Sequence, residues 1–295
     1  MNKKIALVTY QQQARYNEGV TESEDDLLLK FLQERGIDIM PVVWNAPEVN
    51  WQQYDAAIIK SPWDYHDQID TFYAWLKTTE AAGVQLLNSA EMVRWNSNKK
   101  YLLEIAAAGL PVIPSQLLPQ GTTPDWQAFF TLWNTDKIVV KPCVSAGAKN
   151  TVLLSINDIA AQQASLNGLL QAEDFLAQPY LKEIEEGEWS FVFFGGVFSH
   201  MLLKTPKQGD FRVQHYHGGT FKQASAGELF ISKAQKYVDQ FCKGTLYARV
   251  DGVISKGEFY LMELEAIEPY LFLSTATHGY EHYYQAVKHL LAIGF

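Results

Sequence analysis

The sequence predicts an α/β protein with a parallel sheet in its N-terminal third and α+β structure in its C-terminal half. Strand-like and helix-like segments alternate over residues 5–88, which is typical of a parallel sheet covered by helices on both faces. Beyond residue 188, two pairs of strand-like segments are each joined by a short turn that contains glycine, which is typical of antiparallel hairpins. Of the 295 residues, 47% are hydrophobic and 19% are charged, as expected for a packed protein.

Four strands and two helices are predicted in the N-terminal third. The strands cover residues 5–9, 39–44, 54–60 and 86–88, and the helices cover residues 24–35 and 69–82. Ligands of open parallel sheets bind beyond the carboxyl ends of the strands. Trp63, Asp64 and Tyr65 follow the third strand and are therefore candidates for contact with a substrate. The first strand is not followed by G-x-G-x-x-G, which disfavours a nicotinamide or flavin dinucleotide fold.

The elements in the rest of the chain alternate less regularly. A helix is expected over residues 98–114 and a turn-rich connector over residues 119–124. Further strands are predicted at residues 138–141, 151–155, 175–181, 189–194, 197–204, 247–254 and 258–264, and further helices at residues 159–170, 228–243 and 282–293. We expect three units, namely an N-terminal substrate domain of residues 1–97, a small subdomain of residues 98–182 and a C-terminal subdomain of residues 183–295.

The charge balance and the apolar runs argue against two classes of partner. The formal net charge is −9, so the chain as a whole does not attract nucleic acid or anionic membranes. No apolar run approaches the ~20 residues that a membrane helix needs. Cys143 and Cys242 lie far apart in the sequence and form no ligand-spaced pair. We therefore expect a cytoplasmic protein with reduced thiols and with no nucleic-acid or membrane partner.

The last predicted hairpin carries the strongest chemical pattern. Arg249 and Asp251 lie two residues apart on one strand, so they share a face. Glu263 and Glu265 are spaced in the same way on the next strand. If the two faces coincide, three carboxylates and one guanidinium converge, and carboxylates without His or Cys suit Mg²⁺ bound together with phosphates. The alternative is a polar outer face whose charges are solvated.

Two weaker patterns suit a nucleotide. Lys141 ends a buried strand before a small-residue loop that contains Ser145 and Gly147, and the backbone N–H groups of such a loop can bind phosphate. Gln178 lies on an extended segment that can offer backbone donors and acceptors to adenine. Glu188 lies ten residues further on and can bind ribose hydroxyls. Many surface loops share each of these patterns.

Taken in order, the patterns resemble the ATP-grasp superfamily, which includes glutathione synthetase and D-alanine–D-alanine ligase. The resemblance covers nearly the whole chain and implies an ATP-grasp fold, in which two α+β subdomains enclose the nucleotide. The positions that match the family's nucleotide contacts are Lys99, Lys141, Gln178, Tyr180, Leu181 and Glu188. The positions that match its metal ligands are Asp251, Glu263 and Glu265, of which the last is often Asn in the family. Lys100 is a rival to Lys99, because the family usually has Asp-Lys where this chain has Asn98-Lys99-Lys100.

Residues 209–219 resemble the F-R-x-N-x-x-x-G-G loop of the glutathione-synthetase-like branch, which closes over the triphosphate. Arg212 then matches the position that clamps the transferred phosphate, and Gln214 replaces the usual Asn. Within the superfamily, four segments resemble the cycloserine-forming ligases. They are residues 61–65, 93–96, 193–196 and 263–269.

The resemblance implies an ATP-dependent ligase that acts through an acyl phosphate on a small amino-acid-like substrate. The ligation would join a carboxylate to an amine or close a ring within one molecule. Arg212 and Arg249 would stabilise the negative charge that develops during both steps. Arg94 would orient the substrate carboxylate and Asp64 its nitrogen group, unless the two simply pair on the surface.

The expected cofactors are ATP and Mg²⁺, with Mn²⁺ as an alternative ion. The expected partners are small-molecule carboxylate and amine substrates, and a homodimer is an open alternative to a monomer. Two other functions stay open at this point. One is a catalytically silent ATP-binding protein, and the other is an ATP-dependent kinase of a small molecule.

Overall fold

The computed structural model describes residues 3–11, 23–207, 209–210, 212–213 and 218–292. Its strands are Lys4–Thr9 (β1), Asp38–Val43 (β2), Ala56–Ser61 (β3), Gln85–Leu87 (β4), Gln116–Leu118 (β5), Lys137–Pro142 (β6), Val152–Ser155 (β7), Phe175–Pro179 (β8), Glu188–Phe194 (β9), Val197–Thr205 (β10), Thr220–Gln223 (β11), Tyr247–Ser255 (β12) and Glu258–Glu265 (β13). Its α-helices are Glu24–Glu34 (α1), Ile69–Ala81 (α2), Ala90–Asn96 (α3), Tyr101–Ala107 (α4), Trp126–Trp133 (α5), Ile159–Leu169 (α6), Glu228–Phe241 (α7) and Gly279–Leu291 (α8). The strands form three sheets.

The first sheet has the strand order β2-β1-β3-β4, and all of its strand pairs are parallel. Its two central strands are buried on both faces, because helices cover each side. Leu28 of α1 and Tyr283 of α8 pack on one face, and Phe72 of α2 packs on the other. The predicted N-terminal parallel α/β sheet is therefore confirmed.

The other two sheets are antiparallel, so the predicted α+β half is confirmed as well. The second sheet, β5-β8-β6-β7, packs against α5 and α6 around Phe130 and Leu166. The third sheet, β11-β10-β9-β12-β13, packs against α4 and α7 around Ile105 and Tyr237. The three sheets fall within the three units expected from the sequence, whose boundaries stay a prediction.

The first and third sheets share one hydrophobic core. Leu7 and Ile58 of the first sheet belong to the same buried cluster as Val192, Phe194 and Tyr247 of the third. The second sheet has its own cluster, which contains only residues between positions 118 and 177. This difference bears on how a cleft between the sheets can open.

The helix predicted over residues 98–114 is wrong in its bounds. Within this range the chain forms one short helix, α4, which ends at Ala107, and a further short helix, α3, lies before the range and was not expected. The Ser89 hydroxyl accepts a hydrogen bond from the N–H of Met92 at 3.2 Å, which caps α3 at its start. Gly109 follows the end of α4 with φ of +85°, a conformation that glycine adopts without strain and that ends the helix.

A helix that spans a bilayer needs about 20 mostly apolar residues. No helix in the described part of the chain has the length and apolarity to do so.

Candidate active site

Lys99 joins the loop after β6 to the last strand of the third sheet. Its ammonium donates to the carbonyl oxygen of Ser145 at 2.6 Å and lies 3.1 Å from a carboxylate oxygen of Glu263. Its backbone N–H donates to the carbonyl oxygen of Cys143 at 2.7 Å. Lys99 therefore lies where the second and third sheets meet, and only 9% of its surface is exposed.

Lys100 points to a different place. Its ammonium pairs with Asp174, and its side chain is 39% exposed. Of the two rival lysines, Lys99 is the one that the fold directs toward Glu263. The sequence leaves this choice open, because both residues precede the same helix.

The loop after β6 has the backbone shape of an anion-binding turn. Gly147 and the next residue, Ala148, both have positive φ, at +61° and +56°. Runs of such residues aim successive N–H groups at one point, and that arrangement binds phosphate. Ser145 is buried beside them, with 6% of its surface exposed. The geometry thus suits the phosphate role predicted for Ser145 and Gly147.

Lys141 ends β6 next to this loop, and it forms no ion pair or hydrogen bond with any residue that the structure describes. Burial lowers the pKa of its ammonium to about 8. The charges of Glu263 and Glu188 act in the opposite direction without compensating for the burial. A cation held out of water without a partner is stabilised by an anionic ligand, so Lys141 fits the phosphate-binding role predicted for it.

In the β12–β13 hairpin the two charged faces coincide, which the sequence leaves open. Asp251 lies opposite Glu263, and Arg249 lies opposite Glu265, with a bulge after Asp251. The Arg249 guanidinium donates to both oxygens of Asp251 at 2.8–3.0 Å, contacts Glu265, and donates to the carbonyl oxygen of Tyr270 at 2.8 Å. Three of the expected charges are therefore linked directly through Arg249.

Lys204 completes this charge network, and sequence reasoning missed it. Its ammonium lies 3.0 Å from an Asp251 oxygen and contacts Glu188. The structure shows that every second residue of β10 from His200 to Lys204 is buried, but the sequence of this strand has no alternation of polar and apolar residues that would indicate it. Burial alone would raise the pKa of Asp251, but Arg249 and Lys204 outweigh it and hold that pKa well below its usual value.

The donor chemistry fits Mg²⁺, because the candidate ligands are all carboxylates. Asp251 is fully engaged, since its oxygens accept from Arg249, Lys204 and the Ser190 hydroxyl. Glu263 and Glu265 are more open, with side chains 36% and 25% exposed. Within the described ranges, no three His, Cys, Asp or Glu side chains are grouped as metal ligands. Metal binding by all three carboxylates stays a prediction, and it requires the present ion pairs to rearrange.

The predicted adenine segment connects the second sheet to the third. Gln178 is buried in β8, and its side-chain amide donates to the hydroxyl of Ser115 at 2.8 Å. The Tyr180 hydroxyl donates to Glu185 at 3.0 Å, and Leu181 starts the turn that leads to β9. Glu188 is the first residue of β9 and pairs with Lys204. The nucleotide contacts assigned to these residues stay predictions.

The residues after β3 approach the loop that follows β13. The indole N–H of Trp63 donates to the carbonyl oxygen of Glu268 at 3.3 Å, and the Tyr65 hydroxyl donates to the Glu268 carboxylate. Burial raises the pKa of Glu268 to about 8, and the nearby charge of Glu263 adds to the shift. Glu268 was not singled out from the sequence as a site residue.

Two predicted substrate residues have other partners. Asp64 is 3% exposed, and its oxygen accepts a hydrogen bond from the Trp44 indole at 2.7 Å. Arg94 lies on α3, where its guanidinium pairs with Glu80 of α2 at 2.8 Å. The two residues do not pair with each other. The described contacts do not bring Arg94 to the strand ends, so its substrate role stays a prediction without structural support.

Arg212 lies in a segment of which the structure describes only part. Its guanidinium donates to both oxygens of Asp210 at 2.8–3.0 Å, and its side chain is 35% exposed. The loop expected to close over the triphosphate covers residues 209–219, and residues 211 and 214–217 of it lie outside the described residues. Both the closing role of this loop and the phosphate contact of Arg212 stay predictions.

Models of two known protein families match two segments of this chain. Residues 5–88 match the model of the N-terminal domain of the D-cycloserine synthetase DcsG. Residues 120–257 match the model of the ATP-grasp domain of prokaryotic glutathione synthetase. The chain therefore contains an ATP-grasp domain like that of glutathione synthetase, which follows an N-terminal domain like that of DcsG. These matches support the predicted superfamily, the ATP-grasp fold, the binding of ATP and the ligase class.

Similar proteins cover nearly the whole ATP-grasp chain. The cycloserine biosynthesis protein DcsG of Streptomyces lavendulae is 26% identical over 284 residues, which are 90% of this chain and 92% of that protein. The crystal structure of D-cycloserine synthetase DcsG has a TM-score of 0.83 at 24% identity and covers 97% of this chain and 99% of its own. D-Alanine–D-alanine ligase from Bacillus anthracis, complexed with ATP, has a TM-score of 0.70 at 13% identity, over 98% of this chain and 96% of its own.

Proposed function

We propose that this ATP-grasp ligase phosphorylates the carboxylate of a small amino-acid-like substrate with ATP and then joins the acyl phosphate to a nitrogen. The observation that carries the proposal is the meeting of Lys99, Lys141 and Glu263 at one point. They come from the start of α4, the end of β6 and the middle of β13. Two cations suit the phosphates, and a carboxylate beside them suits the metal ion that accompanies ATP.

The chain's own residues supply positioning and charge. Lys99 and Lys141 hold the phosphates while a substrate carboxylate oxygen attacks the terminal phosphorus and ADP leaves. The substrate nitrogen then attacks the acyl carbon, phosphate leaves with the bonding electrons, and the nitrogen gives its proton to solvent. Arg249 stabilises the oxyanion that forms in between. Glu263 and Glu265, with Asp251 beside them, would hold Mg²⁺, and the ion would supply neutralisation of charge on the phosphates.

We favour intramolecular cyclisation of the substrate as the particular reaction. The match over residues 5–88 is to the N-terminal domain of a cycloserine synthetase, and this part of the chain carries the candidate substrate residues Trp63 and Tyr65. A cyclising substrate carries both the carboxylate and the nitrogen, so a single compound should suffice for turnover. A ligase that joins two molecules would need either two compounds or two molecules of the same compound.

The test is ADP release with a panel of D- and L-amino acids, given singly and in pairs, with hydroxylamine as a trap. A ligase that forms an acyl phosphate yields a hydroxamate under these conditions, whereas a kinase of a hydroxyl group yields ADP without hydroxamate. A silent ATP-binding protein releases no ADP above background with any compound. Turnover with one compound alone supports ring closure when the mass of the product derives from one substrate molecule, whereas a product made from two molecules of that compound shows intermolecular ligation.

The test variant and its control each change one glutamate of the same strand, β13. Glu263→Gln should lower turnover at least about a hundredfold, as loss of a group that neutralises transition-state charge typically does. Glu258→Gln, at the exposed start of β13, should leave turnover unchanged, because Glu258 only pairs with Lys233. Equal turnover in both variants would contradict the assignment of Glu263.

A further inference from the structure

The loop that leaves β13 carries a carboxylate without a cationic partner. Glu268 lies three residues beyond Glu265 and forms no ion pair with any residue that the structure describes. The carboxylates beside it are paired, Glu263 with Lys99 and Asp251 with Arg249. A glutamate that is withdrawn from water keeps its proton unless a counter-charge stabilises its ionised form. At Glu268 the described chain does not supply one.

The surroundings of Glu268 place it at the substrate side of the cleft. The hydroxyl of Tyr65 donates to its carboxylate, and the indole of Trp63 donates to its backbone oxygen. Both residues follow the carboxyl end of β3, where open parallel sheets bind their ligands. The charges of Lys99 and Glu263 act on Glu268 as well. Glu268 therefore lies between the first sheet and the candidate phosphate and metal groups.

We propose that Glu268 binds the non-reacting ammonium group of the amino-acid-like substrate. This inference rests on the function proposed above and names the residue that recognises that group. The attacking nitrogen is the wrong partner for Glu268. A neighbouring carboxylate favours the protonated form of an amine, and a protonated amine has no lone pair with which to attack.

Asp64 is the acceptor that the sequence suggests for this role, and its contacts make it unsuitable. Its oxygen already accepts from the Trp44 indole, and it is 3% exposed. A substrate nitrogen would have to displace Trp44 to reach it, and the indole N–H would then be buried without a partner. Glu268 can bind an ammonium group without breaking an ion pair.

The test compares ligands that carry the ammonium group with ligands that lack it. The first probe is the amino acid that gives the fastest ADP release in the panel. The second is the carboxylic acid of the same skeleton without the α-amino group, used as a competitive inhibitor. In Glu268→Gln, KM for the amino acid should rise about ten- to hundredfold, the usual range for a lost charge-assisted hydrogen bond. The inhibition constant of the deaminated acid and KM for ATP should stay within about twofold.

Two further variants complete the design. Glu281→Gln removes an exposed carboxylate on α8, which pairs with Arg35, and should change none of these constants. Tyr65→Phe removes the hydroxyl that donates to Glu268 and should raise KM for the amino acid in the same direction by a smaller factor. It keeps the proposal testable if Glu268→Gln does not fold.

Two results would overturn the proposal. An equal loss of affinity for the amino acid and the deaminated acid would show that Glu268 does not recognise the ammonium group. A changed dependence on Mg²⁺ with an unchanged KM for the amino acid would make Glu268 a metal ligand instead. These results differ from a failure of the proposed function itself. In that case the wild-type protein would release no ADP with any compound of the panel, before any variant is tested.

Discussion

Two lysines occupy the same place in two different sheets. Lys60 is the fifth of six residues in β3, Lys141 is the fifth of six residues in β6, and both strands are central in four-stranded sheets. The Lys60 ammonium pairs with Glu24 and Asp25, each at 3.1 Å. Lys141 has no such partner in the described part of the chain. The two lysines differ in pairing, and Lys60 is also the more deeply buried of the two.

The pKa values follow from this difference. Burial lowers the pKa of both ammonium groups, but at Lys60 the charges of Asp25 and Glu24 outweigh the burial and raise its pKa above the usual value. At Lys141 burial prevails, and the pKa falls to about 8. A buried charge whose partners lie within the chain stabilises the fold. A buried charge without partners marks a place for a charged ligand.

Lys60→Met tests whether Lys60 stabilises the fold, and it should have the largest effect of the proposed changes, on the free energy of unfolding. Removing the lysine leaves Glu24 and Asp25 as unpaired buried charges, which typically costs about 3–5 kcal/mol of the free energy of unfolding. Denaturant unfolding measures this loss. The folded variant should bind ATP as the wild type does. A stable variant with weakened ATP binding would show that Lys60 is a site residue.

Lys141→Met should do the opposite, because it should weaken ATP binding without lowering the free energy of unfolding. Loss of a charge-assisted phosphate contact should weaken ATP binding by about 1.5–3 kcal/mol, which is roughly ten- to over a hundredfold. The free energy of unfolding without ATP should rise by about 1–2 kcal/mol, because the variant no longer holds an unpaired charge out of water. Calorimetric titration and denaturant unfolding measure the two quantities. Lys233→Ala, at a surface ion pair, serves as the control.

The ATP dissociation constant measured over a series of pH values should change less than it does in Lys141→Met, but its pH dependence assigns the effect to Lys141. Lys141 binds phosphate only when protonated, so the ATP dissociation constant should stay level below about pH 8 and rise above it. The rise should be at most about tenfold per pH unit. Because the native pKa lies below the usual 10.5, stability without ATP should increase as the pH rises from 8 toward 10.5.

Lys141→Arg separates this titration from others in the same range, such as that of Glu268. Arginine keeps its charge throughout the series. The ATP dissociation constant of this variant should therefore show no rise above pH 8. A rise as large as in the wild type would assign the titration to another group.

The sequence predicts the parts of this molecule that depend on neighbouring residues. The parallel sheet and both hairpins follow from alternation, glycine turns and helix stops, all of which are local signals. The two-residue period of strands predicts that Arg249 shares a face with Asp251 and that Glu263 shares a face with Glu265, whereas the coincidence of the two faces is known only from the structure. Helix α3 escaped notice because it has only two turns and is fixed by its Ser89 cap.

The partners of individual charges could not be predicted, because they depend on contacts distant in sequence. Lys204 meets Asp251 across 47 positions, and nothing near either residue indicates the contact. Asp64 has the position of a substrate residue and is removed from that role by Trp44. Glu268 has no distinguishing pattern around it, and only the packing of Trp63 and Tyr65 makes it a candidate.

The core shared by the first and third sheets constrains how the cleft opens. Separating these two sheets would expose their common apolar surface, at a cost of about 25 cal/mol for each Å². The second sheet keeps its own core, and of its described residues Leu176 belongs to the buried cluster of the third sheet and Leu117 packs against it. Moving the second sheet would therefore expose less apolar surface than separating the first and third sheets. We expect the first and third sheets to move as one body, and the second sheet, with Lys141, to be the part that moves when the cleft opens.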